Sequence, residues 1–198
     1  KQKETIYTKT KTIAEIDKEY FLESNELTYN ISEKKIFSEK KKNISDLNGN
    51  ISSMSKFNLS LLTKLLKGDN LEYLDLTSNK IFIKKAVINL QTKEVIGKDP
   101  KIIFDNKSFG NQVNEPRLKG NSIRINKGNT TINKATFTTC KKTDDCPPWT
   151  LSAAEVNHDK KKKVINYKDA WLKLYDYPIF YFPKFFHPDP TVKRQSGF

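Results

Sequence analysis

Histidine and cysteine are scarce in this sequence, which has two residues of each type. The cysteines are Cys140 and Cys146, and the only histidines are His158 and His187. A structural zinc site needs four such ligands at short spacings, so we expect neither a metal site nor another cofactor. A disulfide formed in an oxidising compartment explains the cysteines better, either between these two or with cysteines elsewhere in a longer chain.

Motifs of known catalytic sites are also absent. The sequence contains no G-x-S-x-G, no glycine-rich phosphate loop and no H-E-x-x-H. His158 and Asp159 are adjacent in the chain, but neighbours along a strand point in different directions and do not form a catalytic pair. We therefore expect no enzymatic activity.

Long apolar runs are missing as well. The longest are only a few residues, far below the roughly 20 residues that a membrane-spanning helix needs. Position 1 is Lys and not Met, so we expect that an N-terminal targeting segment has been removed or that the chain was trimmed. The remaining part is expected to be soluble.

Positive charge is abundant, with a formal net charge of +13. This charge would suit a polyanion: nucleic acid, an anionic membrane surface or a phosphorylated lipid. Arg, which binds phosphate with two parallel hydrogen bonds, occurs only at Arg117, Arg124 and Arg194. The lysines are spread along the chain without a nucleic-acid-binding motif, and a biased genome would also produce them, so we expect no nucleic-acid partner.

Short runs of alternating apolar and polar residues follow from Tyr20 onward. Leu27 alternates with Tyr29, and Ile81 with Ile83. Such alternation is typical of half-buried strands. Residues 57–66 would also suit a short helix, but we predict a strand there. The sequence thus predicts an all-β protein.

A weak repeat becomes visible when the chain is aligned on turn-forming residues. Asn30, Asn89, Asn126 and Asp159 each follow an apolar residue at −3 and precede another at +6, and Asp75 is a partial copy. This pattern indicates a strand, a tight polar turn and a second strand. One such unit cannot bury its apolar face alone, so we predict a β-jellyroll or solenoid-like stack of short strands. The unequal spacing leaves an ordinary antiparallel sandwich as the alternative.

The end of the chain, residues 177–198, is rich in proline and aromatic residues. Four prolines between 178 and 190 exclude a helix and a central strand, so we expect an extended segment or an edge. Its rings would cover a large apolar area. The segment either lies over the core or leads into another environment. Its candidate linker residues are Pro178, Phe180, Phe182, Pro183, Pro188, Arg194 and Gly197.

Several of these motifs resemble the LptD, or OstA, family of LPS-assembly outer membrane proteins. The resemblance rests on P-I-F-Y-F-P with K-R-Q-S-G-F at the end of the chain, on Phe137-Thr-Thr-Cys140, on Pro148-Trp149, and on Ala153-Ala154-Glu155-Val156 with His158-Asp159. It implies that residues 1–176 form a periplasmic β-jellyroll and that residues 177–198 link it to a membrane β-barrel absent from this chain. It also implies a location at the periplasmic face of the Gram-negative outer membrane.

The family resemblance further implies a function in lipid transport. The jellyroll would accept lipopolysaccharide from a periplasmic bridge protein of similar fold at its N-terminal edge and pass it to the barrel, which has an outer-membrane lipoprotein partner. An apolar groove would hold the acyl chains. From strand alternation, its candidate residues are Ile123, Ile125, Ile132, Ala154, Val156, Ile165, Leu172 and Leu174.

Two other functions compete with transport. A structural β-solenoid could pair edge to edge with partner proteins without binding lipid. An enzyme acting on envelope glycans would need paired carboxylates that the sequence does not provide. The Pro/aromatic segment favours transport, because a free-standing solenoid does not need it.

Overall fold

The computed structural model describes residues 4–40, 42–46, 51–75, 78–105, 114–141, 143, 148–189 and 192. These residues contain sixteen β-strands in one sheet. The strands are β1 Thr5–Thr8, β2 Thr12–Ile16, β3 Tyr20–Ser24, β4 Leu27–Asn30, β5 Lys35–Ser38, β6 Lys42–Asp46, β7 Ile51–Ser60, β8 Leu65–Leu74, β9 Lys80–Asn89, β10 Glu94–Ile103, β11 Arg117–Lys119, β12 Ser122–Ile125, β13 Asn129–Thr138, β14 Trp149–Asp159, β15 Val164–Leu174 and β16 Tyr177–Pro188.

The sheet is antiparallel, and its strand order is β1-β4-β5-β7-β8-β9-β10-β11-β13-β14-β15-β16. A second branch, β2-β3-β6, also joins β7, and β12 lies between β10 and β13. β7 therefore pairs with β5 through residues 57–60 and with β6 through residues 51–54. The all-β, jellyroll-like fold predicted from the sequence is confirmed, and residues 57–66 form the end of β7, a turn and the start of β8.

The long strands bend near their middle. Lys56, Asn70, Asp99, Lys134 and Asp169 have φ between 46° and 51° there, inside strands that otherwise alternate regularly. Buried residues then fall three apart across the bend instead of two, as in Ile83 and Ala86, Gly97 and Pro100, Ile132 and Ala135, Ala153 and Val156, and Tyr167 and Ala170. Since this step resets the alternation, both halves of a strand turn apolar residues toward the same interior.

The bend divides the sheet into two walls. The first wall comprises β1, β4, β5, β12 and the halves of the long strands beside the turns at 31–34, 61–64, 90–93, 126–128 and 160–163. The second wall comprises β2, β3, β6, β11 and the other halves. Close to the bend the walls touch, because a side chain at Gly97 of the first wall would overlap Ile83 of the second.

The turn residues of the predicted repeat perform the predicted task. The Oδ1 atoms of Asn89 and Asp159 each accept hydrogen bonds from the backbone N–H groups two and three residues later, at 2.9–3.1 Å and 3.0 Å. Asn126 does the same, and Asn30 accepts from the N–H of Glu33 at 2.9 Å. The side-chain oxygen of each anchor thereby closes one hairpin turn.

One hairpin turn of this repeat has neither Asn nor Asp at its anchor position. Ser60 closes the turn at 61–64, where its Oγ accepts from the N–H of Thr63 at 3.3 Å. The interval of 59 residues between Asn30 and Asn89 therefore contains a further turn of this kind, with Ser60 as its anchor. With Ser60 included the hairpins recur regularly enough to stack, and the unequal spacing no longer favours a sandwich.

The last strand, β16, is the edge of the sheet and pairs only with β15 among the described residues. This confirms that the proline-rich segment adopts an extended edge. Lys168 pairs with Lys184 and Ala170 with Phe182, so Pro183 lies at the step in the ladder beside Asp169. The predicted division between domain and linker falls in the two-residue turn before Tyr177, and the role of the segment as a linker stays a prediction.

Candidate lipid-binding interior

The interior between the two walls is lined by apolar side chains. Ile123, Ile132 and Val156 are exposed by only 1%, 3% and 5%, and Ile125 by 9%. These four predicted groove residues face the interior together, since Ile123 pairs with Ile132 and Ile132 with Val156 across neighbouring strands. Ile165 is half-buried and packs against the same core.

Three predicted groove residues lie differently. Ala154 is exposed, and Ala153 takes the interior position with Val156, because the bend in β14 resets the alternation between them. The prediction that Ala154 and Val156 share a face is therefore wrong. Leu172 is half-buried, and Leu174, at the end of β15, is 45% exposed although it pairs with Trp149 and Tyr177 on the neighbouring strands.

At the C-terminal edge, the interior surface becomes accessible. Tyr167, Ala170 and Leu172 of β15 pair with Phe185, Phe182 and Phe180 of β16, and paired residues project from the same face. Tyr167 and Ala170 are buried, whereas the three phenylalanines are 38%, 36% and 58% exposed. We call Phe180, Phe182 and Phe185 the phenylalanine mouth. It continues the apolar interior to the edge of the sheet.

Both histidines of the chain secure the end of β16. His187 Nδ1 donates to the carbonyl of Pro188 at 2.6 Å, so in the neutral ring Nε2 accepts from the Tyr167 hydroxyl at 3.0 Å. Burial raises the pKa of Tyr167 to about 12, which keeps this donor protonated. His158 lies 2.6 Å from the Asp189 carboxylate. Sequence reasoning missed Tyr167, whose role shows only when the strands are paired.

At the N-terminal end, the side opposite the bend is closed. The β2–β3 hairpin belongs to the second wall, and its tip at 17–19 reaches the turns of the first wall. Asp17 binds Lys64 at 2.6 Å, and Glu19 lies 3.7 Å from Lys93. The Tyr20 hydroxyl donates to the carbonyl of Leu90 at 3.2 Å. We call these contacts the hairpin clasp.

The N-terminal strands present free edges. In the described chain β1 pairs only with β4, and β2 pairs only with β3. Ile6, Tyr7 and Ile13 are 54%, 51% and 60% exposed beside these edges, whereas Ile16 is buried at 5%. Unpaired backbone donors and acceptors of this kind can accept a further strand.

The remaining predicted site residues are only partly described. Cys140 is half-buried, and its Sγ lies 3.8 Å from the carbonyl of Trp149. Cys146, Arg194 and Gly197 lie outside the described residues, so the disulfide stays a prediction. Within the described ranges, no three His, Cys, Asp or Glu side chains come together as metal ligands would, and no helix is long and apolar enough to cross a membrane.

Comparison with known proteins finds a limited similarity. No protein-family model matches the chain. The LPS-assembly protein LptD of Aeromonas hydrophila subsp. hydrophila and that of Aeromonas salmonicida are each 36% identical to it over 76 residues. The matched region covers 36% of this chain and only 9% of either relative. The chain is therefore similar in part to LptD.

Proposed function

We propose that this chain is the periplasmic module of a lipopolysaccharide transport and assembly protein. In this proposal the acyl chains of lipopolysaccharide lie between the two walls and move toward the phenylalanine mouth. The observation that carries it is the unbroken apolar surface from buried Ile132 and Val156, through Tyr167 and Ala170, to exposed Phe182 and Phe185. The similarity to LptD supports the identity of the lipid.

The energetic basis of binding is burial of the acyl chains. Each CH₂ group removed from water contributes about 0.8 kcal/mol. Because the walls touch at Gly97 and Ile83 near the bend, a chain would enter on the side away from the bend, beyond the hairpin clasp that closes this side at the N-terminal end. This needs no covalent step, and we propose that the module has no catalytic activity.

The two ends of the module suit different partners. The free edges of β1 and β2 would accept a strand from a periplasmic bridge protein of similar fold. The phenylalanine mouth would deliver lipid to an outer-membrane barrel and its lipoprotein partner, with residues 177–198 as the linker. This arrangement places the module at the periplasmic face of the outer membrane.

A second candidate function is a structural interaction module that binds no lipid. It is favoured by the free edges at β1 and β2 and by the exposed aromatic residues of β16, all of which could serve protein contacts. In that case the interior would be only a closed core.

Photocrosslinking in cells distinguishes the two functions. A photoreactive residue at Phe185, in the mouth, and one at Val156, in the interior, should crosslink to lipopolysaccharide. A probe at Lys85, which is exposed beside the bend, is the control and should not. Protein adducts without any lipopolysaccharide adduct at Phe185 and Val156 would favour the interaction module.

A further inference from the structure

The hairpin turns of the first wall form a column along one side of the molecule. The N–H of Leu61 donates to the carbonyl of Lys34 at 2.9 Å, and that of Leu90 to the carbonyl of Lys64 at 3.0 Å. The N–H of Lys160 likewise donates to Gly128 at 2.9 Å. Each turn is thus bonded to a neighbouring turn, and successive hairpins lie about 10 Å apart, twice the spacing of paired strands.

This column is strongly basic. Its five turns contain eight lysines and one acidic residue, Glu33. Lys34, Lys64, Lys93 and Lys163 occupy the last position of their turns with φ between 49° and 58°, so the same backbone geometry repeats. We call Lys34, Lys64, Lys93, Lys127 and Lys160–Lys163 the lysine ladder.

In its N-terminal half, the ladder binds anions of the protein itself. The carboxylates of Asp17 and Glu19, in the hairpin clasp, reach Lys64 and Lys93 from the opposite wall. Glu33 binds Lys35, next to Lys34, at 2.9 Å. The clasp therefore shows that carboxylates from outside the first wall can bind two lysines of the lysine ladder, one carboxylate to each lysine.

In its C-terminal half, the ladder has no such anions. Lys127 and Lys160–Lys163 are exposed and have no ion-pair partner within the described ranges. Two carboxylates lie nearby: Asp159 accepts the backbone N–H groups of Lys161 and Lys162 and interacts electrostatically with their charges, and Asp189 binds His158. Five lysines therefore lie beside only two carboxylates, and the positive charge is in excess.

This half, with its excess of positive charge, adjoins the phenylalanine mouth. The N–H of Asp189, directly after β16, donates to the carbonyl of Lys163 at 2.8 Å. Phe185 is four residues earlier on the same strand and pairs with Tyr167. An amphiphile with its acyl chains at the mouth would therefore have its polar end within reach of these lysines.

We propose that Lys127 and Lys160–Lys163 bind the phosphate groups of the lipid whose acyl chains lie between the walls. Lysine ammonium groups bind phosphate as compact point charges, and phosphates here would take the place that Asp17 and Glu19 take at the other end. This inference rests on the proposed function and adds the part of the lipid that stays outside the walls.

Equilibrium titration of the full chain with lipopolysaccharide, intact or with its phosphates removed, tests this assignment. The wild-type chain should bind the intact lipid more tightly. The variant K161Q/K162Q should bind intact lipopolysaccharide about five-fold more weakly and the dephosphorylated form unchanged, as expected for two exposed charge contacts. K84Q/K85Q, which removes the same charge from exposed positions beside the bend, should match the wild type.

Each other outcome has a distinct meaning. If K84Q/K85Q weakens binding equally, the lysines act only through overall charge and the ladder site is overturned. If the wild type binds both lipids equally, the ladder fails but the proposed function stands. If it binds neither, both fail. Displacement of the lipid by inorganic pyrophosphate at micromolar concentration would identify a free phosphate as the ligand and overturn the lipid assignment.

Discussion

At the scale of single residues, the turn anchors show how one side-chain oxygen determines a hairpin. The anchor is neutral at Asn89 and Asn126 and carries a carboxyl group at Asp159. In all three turns its side-chain oxygen accepts the backbone N–H groups two and three residues later. The repeat was predictable because few residues other than Asn and Asp suit this position. Ser60 was not found because serine forms such turns more weakly than Asn or Asp and therefore marks the position less specifically, although its hydroxyl accepts the Thr63 N–H.

Asp159 should make the stability of the β14–β15 hairpin depend on pH. Hydrogen bonds from the N–H of Lys162 and then Lys161 hold the pKa of its carboxyl below the ordinary value of 3.8, although some burial opposes this. A carboxyl with a lowered folded pKa stabilises the fold above its unfolded pKa, and that contribution disappears as the pH falls through the folded pKa.

The matched variant is Asp159→Asn, because Asn occupies the equivalent position at Asn89 and Asn126. Urea unfolding at about pH 6 and about pH 2.5 should show that the wild type loses more stability in acid than Asp159→Asn does. Equal losses for both proteins would mean that the Asp159 carboxylate contributes nothing through its charge.

At the scale of elements, the bends limited what could be predicted. Simple alternation placed Ile123 with Ile125 correctly because β12 lies wholly in one wall. It failed for Ala154 because β14 crosses from one wall to the other. Two consecutive polar residues between apolar ones, as in Ile132-Asn-Lys-Ala135, mark the same bend in β13 and would have revealed it.

The two sides of β14 allow a matched test of the interior. Val156→Asp would place a carboxylate in the buried row, at a cost of several kcal/mol if it stays ionised. Ala154→Asp makes the same change on the exposed side of the strand and should alter the free energy of unfolding by less than about 0.5 kcal/mol. Urea unfolding should therefore separate the two variants.

The same variants test lipid passage. Val156→Asp should lower the yield of the lipopolysaccharide crosslink at Phe185, whereas Ala154→Asp should not. Val156→Thr, which keeps the shape of valine and replaces one methyl group by a hydroxyl, covers the case in which Val156→Asp does not fold. Folded variants at position 156 with an undiminished crosslink would count against an interior path.

At the scale of the whole molecule, the two ends of the sheet differ in a way that the sequence indicated only in part. The Pro/aromatic composition predicted an exposed edge at the C-terminal end, because prolines interrupt a ladder of hydrogen bonds. The hairpin clasp was not predictable, since Asp17 and Lys64 are ordinary charged residues far apart in sequence. Only the fold brings the two walls together at this point.

The difference between the ends predicts a direction for the module. Ile13 lies on the free edge of β2 and is 60% exposed, whereas Ile16 on the same strand is buried at 5% and cannot meet a partner. A photoreactive residue at Ile13 should therefore capture a periplasmic bridge protein that adds its strand to this edge. Probes at Leu62, exposed in a turn, and at Phe186, exposed on β16, are the controls and should not capture it.

Because strand addition needs unpaired backbone groups, a proline at Ala14, in the same strand, should reduce the Ile13 adduct if it removes a donor from the free side. Capture of the bridge protein from Phe186 and not from Ile13 would reverse the polarity, with the phenylalanine mouth as the entrance.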